Sequence, residues 1–87
     1  MGAKGRELIF EPEAVEQLHQ LNASDEELVR LIATLQELKR SPTQGVLVMG
    51  NPHLYIKESF YILDIGKFVV HYTFDETRVQ IGWIGIY

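Results

Sequence analysis

Phe60-Tyr61-Ile62-Leu63-Asp64-Ile65-Gly66-Lys67-Phe68-Val69-Val70-His71-Tyr72-Thr73-Phe74-Asp75 is the stretch that decides the fold. Phe68, Val70, Tyr72 and Phe74 alternate with Val69, His71 and Thr73, which is the period of a strand with one buried face. Gly66-Lys67 is a tight connection back to a strand at Phe60–Ile65. Asp75-Glu76-Thr77 turns the chain into a last strand, Arg78 to Tyr87, where Gly82 and Gly85 mark a place for a bulge.

Upstream of this sheet sequence the apolar period changes from two to that of a helix. Glu7–Phe10 is a short apolar run suited to an opening strand. Pro12 fits the first helical position, where its missing N–H costs little. Ala14, Val15, Leu18 and Leu21 then recur at helical spacing, with Phe10 and Val15 placed for a hydrophobic staple. Ser24-Asp25-Glu26-Glu27 is a capping box, and its carboxylates suit the positive end of a helix dipole. Leu28, Leu31, Ile32, Leu35 and Leu38 form the buried stripe of that second helix, which Ser41-Pro42 ends. Thr43 to Pro52 has loop composition around the apolar island Val46–Met49, and Leu54-Tyr55-Ile56 can begin a strand.

The order is therefore β-α-α-β-β-β. It predicts one α+β domain over residues 1–87, an antiparallel sheet of three to four strands packed on an N-terminal helical hairpin. Eighty-seven residues allow one compact core, which buries roughly 60–65% of the unfolded surface. The absence of cysteine excludes disulfides, thiolate metal sites and a cysteine nucleophile, and fits a reducing compartment. No apolar run approaches the roughly 20 residues of a membrane helix, and no hydrophobic segment follows the N-terminal charges, so the expected location is cytoplasmic, away from the membrane. The net charge of −4 and the lack of a basic face argue against direct binding of nucleic acid. Lys39-Arg40 is the one basic pair, and a helix C-terminus accounts for it.

With these elements in place the chain resembles the RelE/ParE toxin superfamily of bacterial toxin–antitoxin modules. Leu35-x-x-Leu38-x-x-Ser41-Pro42 is similar to the end of the family's second helix. Gly50 is similar to the glycine before its sheet, and Tyr61-x-Leu63-x-Ile65-Gly66-x-Phe68-x-Val70-x-Tyr72 to its hairpin. Trp83-Ile84-Gly85 falls on its final strand motif. The resemblance implies a cognate antitoxin as partner, and either a ribosome-dependent mRNA endonuclease or an inhibitor of DNA gyrase. No residue of the chain speaks for the ribosome or gyrase as target. The family's arginines fall on Ile62, Asp64 and Val69, and its final basic pair on Ile86 and Tyr87. Metal-free RNA cleavage needs cations for its charged transition state, each such donor being worth roughly 2–4 kcal/mol. The expectation is a toxin-like module that works by binding protein rather than by cutting mRNA.

Ile62, Val69, Ile84, Ile86 and Tyr87 are accordingly the expected partner-binding residues, together with Phe60 on an outward apolar sheet face. Two other readings compete with this one. One is a divergent endoribonuclease using His71, Asp64 and Lys67. The other is a non-toxic scaffold that forms a homodimer through the same face. His19, His53 and His71 lack metal-ligand spacing, so neither a metal nor a cofactor is expected. Gly85-Ile86-Tyr87 spells half of a nuclease motif, but in the wrong place for it.

Overall fold

The computed structural model describes residues 5–50 and 59–86. The elements run β1 (Glu7–Phe10), α1 (Pro12–Gln20), α2 (Asp25–Leu38), a 3-10 turn (Pro42–Gln44), β2 (Val46–Val48), β3 (Phe60–Ile65), β4 (Phe68–Phe74) and β5 (Arg78–Ile86). The strands form a single sheet in the order β1-β5-β4-β3-β2. From β2 to β5 each strand pairs antiparallel with the next. β1 pairs parallel with β5, Leu8 opposite Val79 and Phe10 opposite Ile81. The two helices form the crossover that carries the chain from the β1 edge to the β2 edge, α1 packing on β5 and α2 on β3.

The expected α+β architecture is present, with three differences. The sheet has five strands rather than three to four, and it is mixed rather than antiparallel throughout. The apolar island at 46–48 is a short edge strand, not a loop. The strand expected at 54–56 lies outside the described residues.

Local chemistry explains most elements. Ser24 and Glu27 make the full capping box: the Glu27 N–H donates to Ser24 Oγ at 3.2 Å, and the Ser24 N–H donates to Glu27 Oε1 at 2.9 Å. Those hydrogen bonds and Lys67 hold the Glu27 carboxyl down to about 2. Gly66 adopts φ 61°, which suits a two-residue connection between Ile65 and Phe68 that a side chain would strain. Asp75 Oδ1 accepts from the Thr77 N–H, the Thr77 hydroxyl and the Arg78 N–H, closing the β4–β5 turn.

The core lies between the helices and one sheet face. It comprises Ala14, Leu31, Leu35, Leu38, Ile65, Phe68, Val70, Tyr72, Val79, Ile81 and Ile84, with Leu8, Phe10, Leu18 and Leu63 packed around it. Two residues of the expected helical stripes lie elsewhere. Val15 and Ile32 are exposed, because the helices meet the sheet through Ala14 on α1 and through Leu31, Leu35 and Leu38 on α2.

Tyr72 is the polar fastening of this core. Its hydroxyl donates to the Pro42 carbonyl at 2.6 Å and accepts from the Gly45 N–H at 2.9 Å, tying the turn before β2 to the centre of the sheet. Tyr72→Phe would leave both backbone groups without this partner. The expected loss is about 1–3 kcal/mol, read as a lower urea midpoint at unchanged m value.

Candidate functional site: the outer face of the sheet

The sheet face turned away from the helices is built by strand alternation. Pairing places Val46 opposite Ile62, Ile62 opposite His71, and His71 opposite Trp83, so these side chains form one row across β2, β3, β4 and β5. Val69 stands opposite Asp64 and Gly85 in the next row. The His71 ring lies between two aromatic rings, 4.9 Å from Phe60 and 4.7 Å from Trp83. The Trp83 indole folds over Gly85, where a Cβ would collide with its ring carbons. A shallow depression of about 290 Å³ beside His71 is lined by Glu11, Phe60, Thr73 and Gln80, and the Gln80 amide donates to the Glu11 carboxylate.

Ile62 and Val69 thus share this outer face, half-buried. Ile84 and Ile86 do not. Ile84 is buried opposite Val70, and Ile86 stands opposite the buried Phe68, so both belong to the helix side. The cause is a bulge. Tyr72 pairs with Ile81 but His71 pairs with Trp83, which leaves Gly82 as an extra residue and reverses the alternation beyond it. Ile86 retains 40% exposure because it ends the strand. Tyr87 lies outside the described residues. The same bulge brings Trp83 onto the outer face, a position that uninterrupted alternation assigns to the core. Gly82 and Gly85 were the signal, but they did not say which of them carried the extra residue.

Of the three residues considered for acid–base work, Lys67 is drawn away from the outer sheet face. Lys67 Nζ lies 2.9 Å from Glu27 Oε2 and donates to the Asn22 carbonyl at 3.0 Å, so it is bound to the helix layer. His71 is opposite Ile62, whereas Asp64 is opposite Val69. Arg78 sits at the far end of β5, 3.7 Å from Asp75. The row from Val46 to Trp83 contains no Lys or Arg. Among the described residues no group of His, Cys, Asp or Glu is arranged to hold a metal ion. No helix among them is long and apolar enough to cross a membrane.

Burial between the two rings pushes the His71 pKa below its ordinary 6.5. The sign of the linkage follows. Well above pH 6.5 both the folded and unfolded chains hold this imidazole neutral. As the pH falls below 6.5 the unfolded chain takes up the proton first, and the fold loses stability until His71 itself protonates. Wild type compared at about pH 7.5 and about pH 5.5 should lose more stability than His71→Gln, measured by urea unfolding. Equal losses in the two proteins would contradict the burial of this ring.

No protein-family model and no curated protein matches the chain. Among solved structures it is similar to a chain of the crystal structure of the archaeal RelE-RelB complex from Pyrococcus horikoshii OT3. The superposition has a TM-score of 0.73 and covers 94% of each chain at 13% sequence identity. The two chains therefore share one fold over nearly their whole length, although few of their side chains are the same.

Proposed function

We propose that this protein is a toxin-fold module that acts by binding another protein, a cognate antitoxin, through the outer face of its sheet, and that it does not cleave mRNA on the ribosome. The observation that carries the reading is the row Val46–Ile62–His71–Trp83, apolar and aromatic where a nuclease of this fold needs cations. Stabilising a pentacovalent phosphate requires positive charge or strong donors aimed at it. A half-buried imidazole between two rings, its pKa lowered by desolvation, supplies neither at neutral pH. The same surface suits a protein partner, since aromatic rings dominate the buried centres of interfaces. The solved neighbour of this fold was itself crystallised as a RelE-RelB complex.

Trp83 is the sole tryptophan, so its fluorescence reports on this face. The test uses the product of the reading frame that neighbours this one in its genome. Its addition should shift Trp83 emission, and Ile62→Asp or Val69→Asp should weaken the complex by at least about tenfold, since each places a charge in an apolar contact. In a translating extract, mRNA should stay intact in the presence of this protein. Cleavage of mRNA at ribosomal A sites, or a complex indifferent to both substitutions, would overturn the reading.

A further inference from the structure

The second apolar surface lies on the opposite layer. On α2, Val29 is 69% exposed and Ile32 37%, and with Leu28 and Ala33 they line a surface depression to which no polar atom contributes. Val29, Ile32, Ala33 and Gln36 follow the i, i+3, i+4, i+7 spacing of a helix seam. This stripe sits beside the buried one formed by Leu31, Leu35 and Leu38. Ala33, near its middle, is small enough for a second helix to approach closely.

The charges flanking the stripe are distributed in a way that selects its partner. Asp25 and Glu26 stand at one end, and Lys39 and Arg40 at the other. Asp25 and Glu26 lie about seven positions before the midpoint between Ile32 and Ala33, and Lys39 and Arg40 about seven after it, so acids at one end mirror bases at the other. Glu27, by contrast, is engaged at the surface by Ser24 and Lys67 of its own chain. On a helix the positions fall as follows: Asp25 and Lys39 lean to one side of the stripe, Glu26 and Arg40 to the other. In an antiparallel two-fold pair, residues on the same side of the seam meet. Asp25 of each copy then faces Lys39 of the other, and Glu26 faces Arg40. A parallel pair would instead set acid against acid and base against base.

We propose that a second copy of this chain docks antiparallel on the exposed face of α2, forming a two-fold dimer whose seam is Val29, Ile32, Ala33 and Gln36. This surface is separate from the outer sheet face, and the dimer does not depend on what that face binds. α2 has 14 residues and is therefore about 21 Å long. A contact of one such helix per subunit falls at the small end of specific interfaces, so the dimer should be weak and dependent on concentration and salt.

Sedimentation of the full chain over a concentration series provides the test. The mass should rise from monomer toward dimer, and Val29→Glu should weaken dimerisation about a hundredfold with unchanged helical circular dichroism, because position 29 is solvent-facing in the monomer. Asp25→Lys/Glu26→Lys and Lys39→Glu/Arg40→Glu should each be monomeric alone, yet form a heterodimer when mixed, since every facing pair is then opposite in sign. The chain has no cysteine, so Ala33→Cys should crosslink to its mate across the two-fold axis under mild oxidation, and Glu76→Cys, in the β4–β5 turn, should not. The crosslink reads the geometry even if the charge-reversed helix start weakens folding. A monomer up to about 1 mM, a dimer indifferent to Val29→Glu, or equal crosslinking at positions 33 and 76 would overturn the proposal. A dimer that shifts Trp83 emission and is broken by Ile62→Asp would place self-association on the sheet face instead, and would overturn it too.

Discussion

Gly45→Ala is expected to destabilise the protein by about 2–4 kcal/mol, enough to lower the melting temperature of a domain this size by roughly 10–20 °C. The cause is space and not backbone conformation. Gly45 has φ −78° and ψ 177°, which any residue adopts. A Cβ there would lie 2.7 Å from the Ile62 carbonyl oxygen and 2.8 Å from the Tyr72 hydroxyl. Neither neighbour can move cheaply. The Ile62 carbonyl belongs to the backbone of β3, and the Tyr72 hydroxyl is held by Pro42 and Gly45 in the buried fastening of the core. Relief requires moving β2 off the sheet edge or breaking those hydrogen bonds. Hydrogen exchange should therefore show lost protection at Val46–Val48 before the rest of the sheet. Full stability in Gly45→Ala would mean that the turn after Pro42 does not pack against Ile62 and Tyr72.

Leu35→Ala is expected to cost about 3 kcal/mol, and the comparison that gives this meaning is Val29→Ala on the same helix. Leu35 is completely buried under β3, and its truncation leaves a void among Leu31, Leu38 and the sheet. Val29 is 69% exposed, so the monomer should change by no more than about 0.5 kcal/mol. Chemical unfolding in dilute solution reads both, and separates the core stripe of α2 from its exposed one. Equal costs would show that α2 turns a different side toward the sheet.

Sequence reading distinguishes these two stripes only in part. Leu31, Leu35 and Leu38 were legible because leucines at helical spacing mark a buried face. Ile32 lies at the margin of that stripe, and its position depends on the angle at which α2 meets the sheet, which no local pattern encodes. The capping box at Ser24 and Glu27 was legible in full, since its partners are three residues apart. So was the Phe60–Phe74 hairpin, whose register follows from a two-residue turn.

The candidate site divides along the same line. Ile62, Val69 and His71 reach the outer face because they alternate with Leu63, Val70 and Tyr72 in an uninterrupted hairpin. Ile84 was expected beside them and is in the core, and Trp83 takes its place outside, because one extra residue at Gly82 reverses every side chain that follows. Lys67 was a candidate for chemistry until Glu27, forty positions earlier, came to lie 2.9 Å from it.

From the chain alone came the helix pair, the hairpin, the last strand and the α+β class, all fixed by contacts within a few residues. Tertiary structure added the parallel pairing of β1 with β5, the edge strand β2, the bulge at Gly82 and the joining of Lys67 to the helices. Each of those depends on partners brought together only when loops close. Their energies belong to the packed sheet and helix layers and are written in no single segment.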